Sequence, residues 1–247
     1  MLPFCNRLDY ERPVDVVLNA ENSPMKKTPN RFHLLLAAFF TLSLTAFAEP
    51  GVAIAIVYDT SGSMAANVPA ATGAKPKYVI ASETLGEITT KIDAFAKAGN
   101  KVQAGIVCFP GAPSVPFGDW KPEVFRTWLT NFKGPNGGTP LGNAILRASE
   151  LVANSPLAKK HVVVLTDGEN NQGISTDEGV HKGQEYLRQK NGGAISYYFV
   201  AFDTSASQFD EVKKKGALVL SAVNEKQLQK GLTSIFTQNI LLEEEEK

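Results

Sequence analysis

The stretch that most narrows the choice of fold is Val52-Ala53-Ile54-Ala55-Ile56-Val57-Tyr58, seven consecutive residues without a charge. A strand with one wet face alternates polar and apolar residues. A continuous, β-branched run of this length instead reads as a strand buried on both faces, the kind found in parallel sheets covered by helices on each side. A second run, His161-Val162-Val163-Val164-Leu165-Thr166, has the same character, and each run ends on an acid, Asp59 and Asp167.

Between and after these strands the period changes. Tyr78, Ala81, Leu85, Ile88, Ile92 and Phe95 recur at three and four and predict a helix from about Pro76 to Lys97. Met64 to Ala74 reads as a loop of small residues. Lys101–Phe109 predicts a strand, Ser114–Phe117 a short edge strand, and Pro122 opens a helix to Asn131. Gly134-Pro135-Asn136-Gly137-Gly138 forms a loop. Thr139-Pro140 starts a helix whose inner stripe is Leu141, Ala144, Ile145, Ala148, Leu151 and Val152. A weakly patterned helix over Asp177–Gln189, a strand over Ala194–Phe202, a short helix over Ser207–Lys215 and a last strand over Ala217–Leu220 follow. Asn224-Glu225-Lys226-Gln227 is a capping box for a final helix that buries Leu228, Leu232, Ile235 and Phe236. Strands alternating with helices predict an α/β, doubly wound, Rossmann-like sheet, mainly parallel and six-stranded, with helices on both faces. In the order 3-2-1-4-5-6 the switch point falls between the two acid-ended strands, so Asp59 and Asp167 emerge at one crevice, where such sheets bind ligands.

The first 48 residues read differently. His33 to Phe47 is mostly apolar and ends in Ala46-Phe47-Ala48, preceded by Met25-Lys26-Lys27 and Arg31. This is the layout of a secretory signal over residues 25–48, cleaved after Ala48. Residues 1–24 then have no role, as if translation starts at Met25; the alternative is one long basic leader. The expected organisation is a signal at 25–48, one domain over 49–242 and an acidic tail at 243–247, in a protein exported to a periplasm or medium. No cysteine stands just after the cleavage point to carry a lipid, so no membrane anchor is expected. Of 25 basic and 25 acidic residues, five and four respectively precede Glu49, which leaves a net charge of −1. A near-neutral, mixed surface offers no electrostatic footprint for nucleic acid. Beyond Cys5 the one cysteine is Cys108, in a strand, so the domain is held by its core and not by a disulfide.

The chemistry concentrates after the first strand. Asp59-Thr60-Ser61-Gly62-Ser63 places a carboxylate and two hydroxyls at alternate positions, and oxygen-only donors suit a hard cation such as magnesium. Taken singly, the serines read equally as turn residues, Thr139 as a helix cap, and the two aspartates as caps after strands. A second match, Asp203-Thr204-Ser205-Ala206-Ser207, lacks companion motifs downstream and reads as caps. The first has companions: Gly138-Thr139-Pro140 before a central helix and Thr166-Asp167-Gly168 after the fourth strand. Together the three motifs resemble the metal-ion-dependent adhesion site of the von Willebrand factor type A domain, in its exported bacterial form. The resemblance implies that Ser61 and Ser63 bind the metal directly, Asp59 and Asp167 directly or through water, and Thr139 as a ligand docks. It implies Mg2+, with Mn2+ or Ca2+ as alternatives, and a partner protein whose Asp or Glu completes the shell. In related domains that docking is coupled to sliding of the last helix. Here Gly231, Thr233, Thr237, Gln238 and Asn239 predict thin packing.

The expected function is therefore an exported adhesion or scaffold module without catalysis. The rival is a magnesium-dependent hydrolase on the same site, against which stands the lack of a general base: only His161 and His181 follow the signal, with no G-x-S-x-G elbow and no G-x-x-x-x-G-K loop.

Overall fold

A computed structural model of the protein describes residues 48–109, 114–168, 170–190 and 192–242. The predicted export signal up to residue 47, the predicted start at Met25, the 243–247 tail, the Pro110–Pro113 break and Glu169 lie outside the described residues.

The chain runs β1 (Glu49–Asp59), β2 (Asn67–Ala70), β3 (Gly73–Pro76), α1 (Lys77–Lys97), β4 (Val102–Phe109), β5 (Val115–Asp119), α2 (Pro122–Asn131), α3 (Leu141–Ala153), β6 (Leu157–Thr166), α4 (Thr176–Gln189), β7 (Ile195–Phe202), α5 (Asp210–Lys214), β8 (Leu218–Ala222) and α6 (Glu225–Ile235). One six-stranded sheet has the order β5-β4-β1-β6-β7-β8, and β2 pairs with β3 in a separate hairpin. Pairings β1/β4, β1/β6, β6/β7 and β7/β8 are parallel.

Two corrections to the expected order 3-2-1-4-5-6 follow. The β2–β3 hairpin, read from sequence as a loop, takes two places in the strand count. Its prolines, Pro69 and Pro76, and its small residues hide any alternation, and two-stranded edges tolerate proline. The edge strand β5 runs antiparallel to β4. Only five residues separate Phe109 from Val115, whereas a parallel return needs a crossover of roughly a dozen or more.

β1 is buried on both faces, and its alternate residues serve different cores. Ile54, Ile56 and Tyr58 join Ile80, Ile88, Ile92, Trp128 and residues of α6 on one face. Ala53, Ala55 and Val57 join Leu141, Ile145, Ala148 and Val152 on the other, where the two alanines let α3 lie directly on the strand. Each large aliphatic side chain fully buried in this way contributes about 1.5–3 kcal/mol. Tyr58 stacks edge-on against Trp128 and Phe132, and its hydroxyl donates to the Tyr78 carbonyl at 2.9 Å.

The last helix is more tightly held than expected. Leu228, Leu232, Ile235, Phe236 and Ile240 are all fully buried, and the chain beyond α6 widens into a π turn over Phe236–Ile240. Thr233, Thr237, Gln238 and Asn239 lie on its half-buried to exposed side, so their polarity says nothing about the packed face. The capping box forms: Asn224 Oδ1 accepts from the Gln227 amide at 2.9 Å, and Gln227 Oε1 accepts from the Val223 amide at 3.0 Å. Burial pushes the Cys108 thiol up to about 12, which keeps it protonated and unreactive. Among the described residues no helix is long and apolar enough to cross a membrane.

Candidate metal centre

The pairing of Tyr58 with Leu165 sets the ends of β1 and β6 side by side. Asp59 is fully buried there, not at a solvated rim. Its Oδ1 accepts the Ser61 amide at 2.7 Å, and its Oδ2 accepts the Thr166 hydroxyl at 2.6 Å. Both oxygens thus shape the loop. Ser61 is extended at the start of a tight turn over Gly62–Ala65. Its Oγ lies 3.0 Å from Ser63 Oγ, and the Ser63 hydroxyl donates to Asp167 Oδ1 at 2.8 Å, across 104 residues of chain. Ser61 and Asp167 are buried and Ser63 is exposed, so the chain of oxygens meets solvent at its middle member.

Thr139 is brought in by two neighbouring loops. The Gly62 amide donates to the Gly137 carbonyl at 3.1 Å and the Asn136 amide to the Thr60 carbonyl at 2.8 Å, which binds the glycine-rich loop to the Asp59–Ser63 loop. On its other side the Thr139 amide donates to Asn171 Oδ1 at 2.7 Å, and the Asn171 amide returns to the Thr139 carbonyl at 3.0 Å. Asn170 Oδ1 accepts the Gly142 amide at 2.9 Å, which ties the same loop to the first turn of α3. Asn170 and Asn171 read in the sequence only as loop residues. Their spacing after Asp167 was the available signal.

Electrostatically the site is short of positive charge. Burial raises the Asp59 carboxyl above its ordinary range; hydrogen bonds from Ser61 and Thr166 oppose this, and the nearby Asp167 adds to it. Asp167 Oδ2 has no hydrogen bond of good angle among the described residues; it faces the Lys77 ammonium at 2.6 Å. The same ammonium lies 3.4 Å from Asp203 Oδ2. The sequence reading missed Lys77, although a lysine in the first turn of a helix, where the dipole disfavours it, was a usable signal. In the second D-x-S-x-S stretch Ser205 does cap: its Oγ accepts the Ser207 amide at 3.3 Å and lies 2.7 Å from Ser207 Oγ, while Ser207 sits inside the turn. Asp203 does not. It turns its carboxylate to Lys77, with φ of 55°.

Asp59, Ser61, Ser63, Thr139 and Asp167 offer oxygen atoms alone, the donor chemistry that suits a hard dication. Among the described residues no group of three or more His, Cys, Asp or Glu side chains could hold a metal by itself, so any such site here depends on the hydroxyls.

No protein-family model and no curated protein matches the sequence. Solved structures do match in shape. The PilB minor pilin from Streptococcus sanguinis shares 18% identity at a TM-score of 0.59, over 77% of this chain and 61% of the pilin. Proximal thread matrix protein 1 from the mussel byssus, solved with a zinc-occupied MIDAS motif, shares 19% at 0.57, over 76% of this chain and 48% of that one. BatB from Bacteroides thetaiotaomicron shares 16% at 0.55, over 76% and 98%. The chain therefore spans less than two thirds of the pilin and about half of the matrix protein. The shared feature is the fold, and it is of the von Willebrand factor type A kind.

Proposed function

We propose that the chain is an exported, metal-dependent protein-binding module. In this reading Asp59, Ser61, Ser63, Thr139 and Asp167 hold a divalent cation, and residues 49–242 form the domain released by cleavage after Ala48. The observation that carries it is the oxygen row Ser61 Oγ, Ser63 Oγ, Asp167 Oδ1, spaced 3.0 and 2.8 Å. These spacings are hydrogen bonds between the oxygens themselves; what they supply is three oxygens drawn together at the switch point, where one hard cation could replace the protons between them. The ion of this reading is magnesium, with manganese or calcium as alternatives.

Ser61 and Ser63 offer neutral oxygens, and Asp59, with both oxygens engaged, acts through the loop it holds and through water. When bound, the dication supplies positive charge that two hydroxyls leave under-neutralised, and this attracts a carboxylate. In this reading Thr139, buried and held through its backbone by Asn171, responds to that carboxylate. Zinc at the byssal matrix protein's MIDAS motif supports a divalent metal, and the fold shared with that protein and with a pilin supports a binding role over a catalytic one. So does the position of His161, six residues before Asp167 on the same strand and hence about 20 Å away.

Calorimetric titration of Mg2+ and Mn2+ into wild type and Ser63→Ala tests the reading. Ser63 is exposed, so the variant should fold normally. The expected result is binding by wild type and a loss of tenfold or more in the variant, in line with removing a ligand from a hard-cation site. Equal affinities would refute the assignment.

A further inference from the structure

We infer that Lys77 is a tethered cation that competes with the metal for Asp167, and that Asp203 sets the strength of that competition. The inference rests on the metal-site reading and adds residues that none of the three sequence motifs contains.

Three adjacent strands, β1, β6 and β7, deliver Asp59, Asp167 and Asp203 to one edge of the sheet. Lys77 reaches this edge from α1. Its amide is fixed on the Ala66 carbonyl at 2.9 Å, directly after the Ser61–Ala65 turn, and its side chain is 6% exposed. Helix formation does not explain the placement. The ammonium sits in the first turn of a 21-residue helix whose dipole is positive at that end. What holds it is the pair of carboxylates, Asp167 Oδ2 at 2.6 Å and Asp203 Oδ2 at 3.4 Å. Asp167 is thereby split in function: Oδ1 belongs to the serine row, and Oδ2 belongs to Lys77.

Asp203 adopts a left-handed backbone, φ 55°, which costs energy in any residue but glycine and is better tolerated by Asp and Asn. Among the described residues its carboxylate pairs with Lys77, so the strained residue aims at the lysine. Asp203 is 43% exposed on its side chain, and Asp167 is fully buried. The ammonium is thus shared between a wet carboxylate and a dry one. Without a metal, Lys77 neutralises the buried Asp167 carboxylate. A dication entering beside Asp167 meets that ammonium as a like charge. Asp203 offers the ammonium somewhere else to go.

The two partners predict opposite effects. Lys77→Met removes the competitor, so the affinity for Mn2+ should rise by roughly tenfold or more, as expected for deleting a like charge within a few ångströms. Its metal-free form should melt lower than wild type, since Asp167 is left buried and unpaired, and added Mn2+ should raise its melting temperature by more than it raises the wild type's. Asp203→Asn keeps a residue suited to the left-handed backbone and releases Lys77 wholly onto Asp167. Its Mn2+ affinity should fall severalfold. The experiment is calorimetric titration of Mn2+ into wild type, Lys77→Met and Asp203→Asn, with thermal melts in chelator and in saturating Mn2+. If Lys77→Met does not fold without metal, the Asp203→Asn titration decides alone. Wild-type binding with unchanged or opposite shifts in the variants overturns the role of Lys77 and leaves the metal site standing. No Mn2+ binding by wild type or any variant overturns the metal site itself, and this inference with it.

Discussion

At Asp59 burial and charge pull in opposite directions. A fully buried carboxylate is costly, yet this one accepts two short hydrogen bonds that close the loop around the site. Asp59→Ala strands the Ser61 amide, leaves the Thr166 hydroxyl only the longer bond to the Gly168 carbonyl at 3.2 Å, and should cost about 1–3 kcal/mol in a urea titration. Asp59→Asn keeps an acceptor for Ser61 and should cost less, while both variants lose metal affinity. Equal stability of Asp59→Ala and wild type would mean that the loop is held by other contacts. His161 is the second residue whose charge the fold resists. Burial, with a smaller push from Lys159, takes it down to about 4, and its Nε2 is buried without a hydrogen-bond partner among the described residues. The fold keeps the ring neutral, so its stability is intact above the unfolded value of about 6.5. As the pH falls from there towards 4, the unfolded chain takes up a proton that the folded one excludes. By pH 4.5 this should remove about 2–3 kcal/mol. Urea unfolding of wild type and His161→Phe at pH 7 and pH 4.5 isolates the effect: the wild type should lose that much more than the variant, and parallel losses would contradict it.

Among the elements, α4 shows why one helix was hard to read. Its buried face is Gly179, Val180, Gly183 and Leu187, so two of four inward positions carry no side chain and the apolar stripe nearly vanishes from the sequence. Those glycines are there because α3 is very close. A Cβ on Gly179 would overlap the Gly142 carbonyl, and one on Gly183 would overlap the Ser149 side chain. Gly179→Ala should therefore cost about 1–3 kcal/mol as overpacking. For a domain of this size that is a drop of roughly 3–10 °C in melting temperature. Because α3 begins just after Thr139, the same variant should also weaken metal binding; an unchanged melting curve would show that the two helices can separate freely. The β2–β3 hairpin was illegible for a related reason. Its apolar face is no more than Val68, buried in the core, and Ala70 beside it, and Glu225 of α6 fastens it further by accepting the Ala71 amide at 2.6 Å and pairing with Lys75 at 3.3 Å.

On the scale of the whole molecule, long buried strands announce themselves by unbroken apolar runs at their centres, which made β1, β4, β6 and β7 and the switch point readable in advance. The site motifs were readable for the same reason: Asp59 and Asp167 stand immediately after such strands. Lys77 and Asp203 were not, because their meaning depends on which strand ends become neighbours in space. The direction of β5 came down to the length of one connection. If the oxygens at the switch point bind a dication in the folded state only, the metal must stabilise the whole domain. At a hundredfold excess over the dissociation constant the gain is about 2.7 kcal/mol. Melting in chelator and in Mn2+ should then differ by roughly 5–10 °C for wild type and by little for Ser63→Ala.

The most direct test is to locate the ion. Crystals of the domain grown with Mn2+ should show one anomalous-scattering peak at the carboxyl ends of β1 and β6, with Ser61 Oγ and Ser63 Oγ about 2.1–2.2 Å from it. A peak elsewhere, or none there at millimolar Mn2+ with these serines still hydrogen-bonded to each other and to Asp167, would contradict the account.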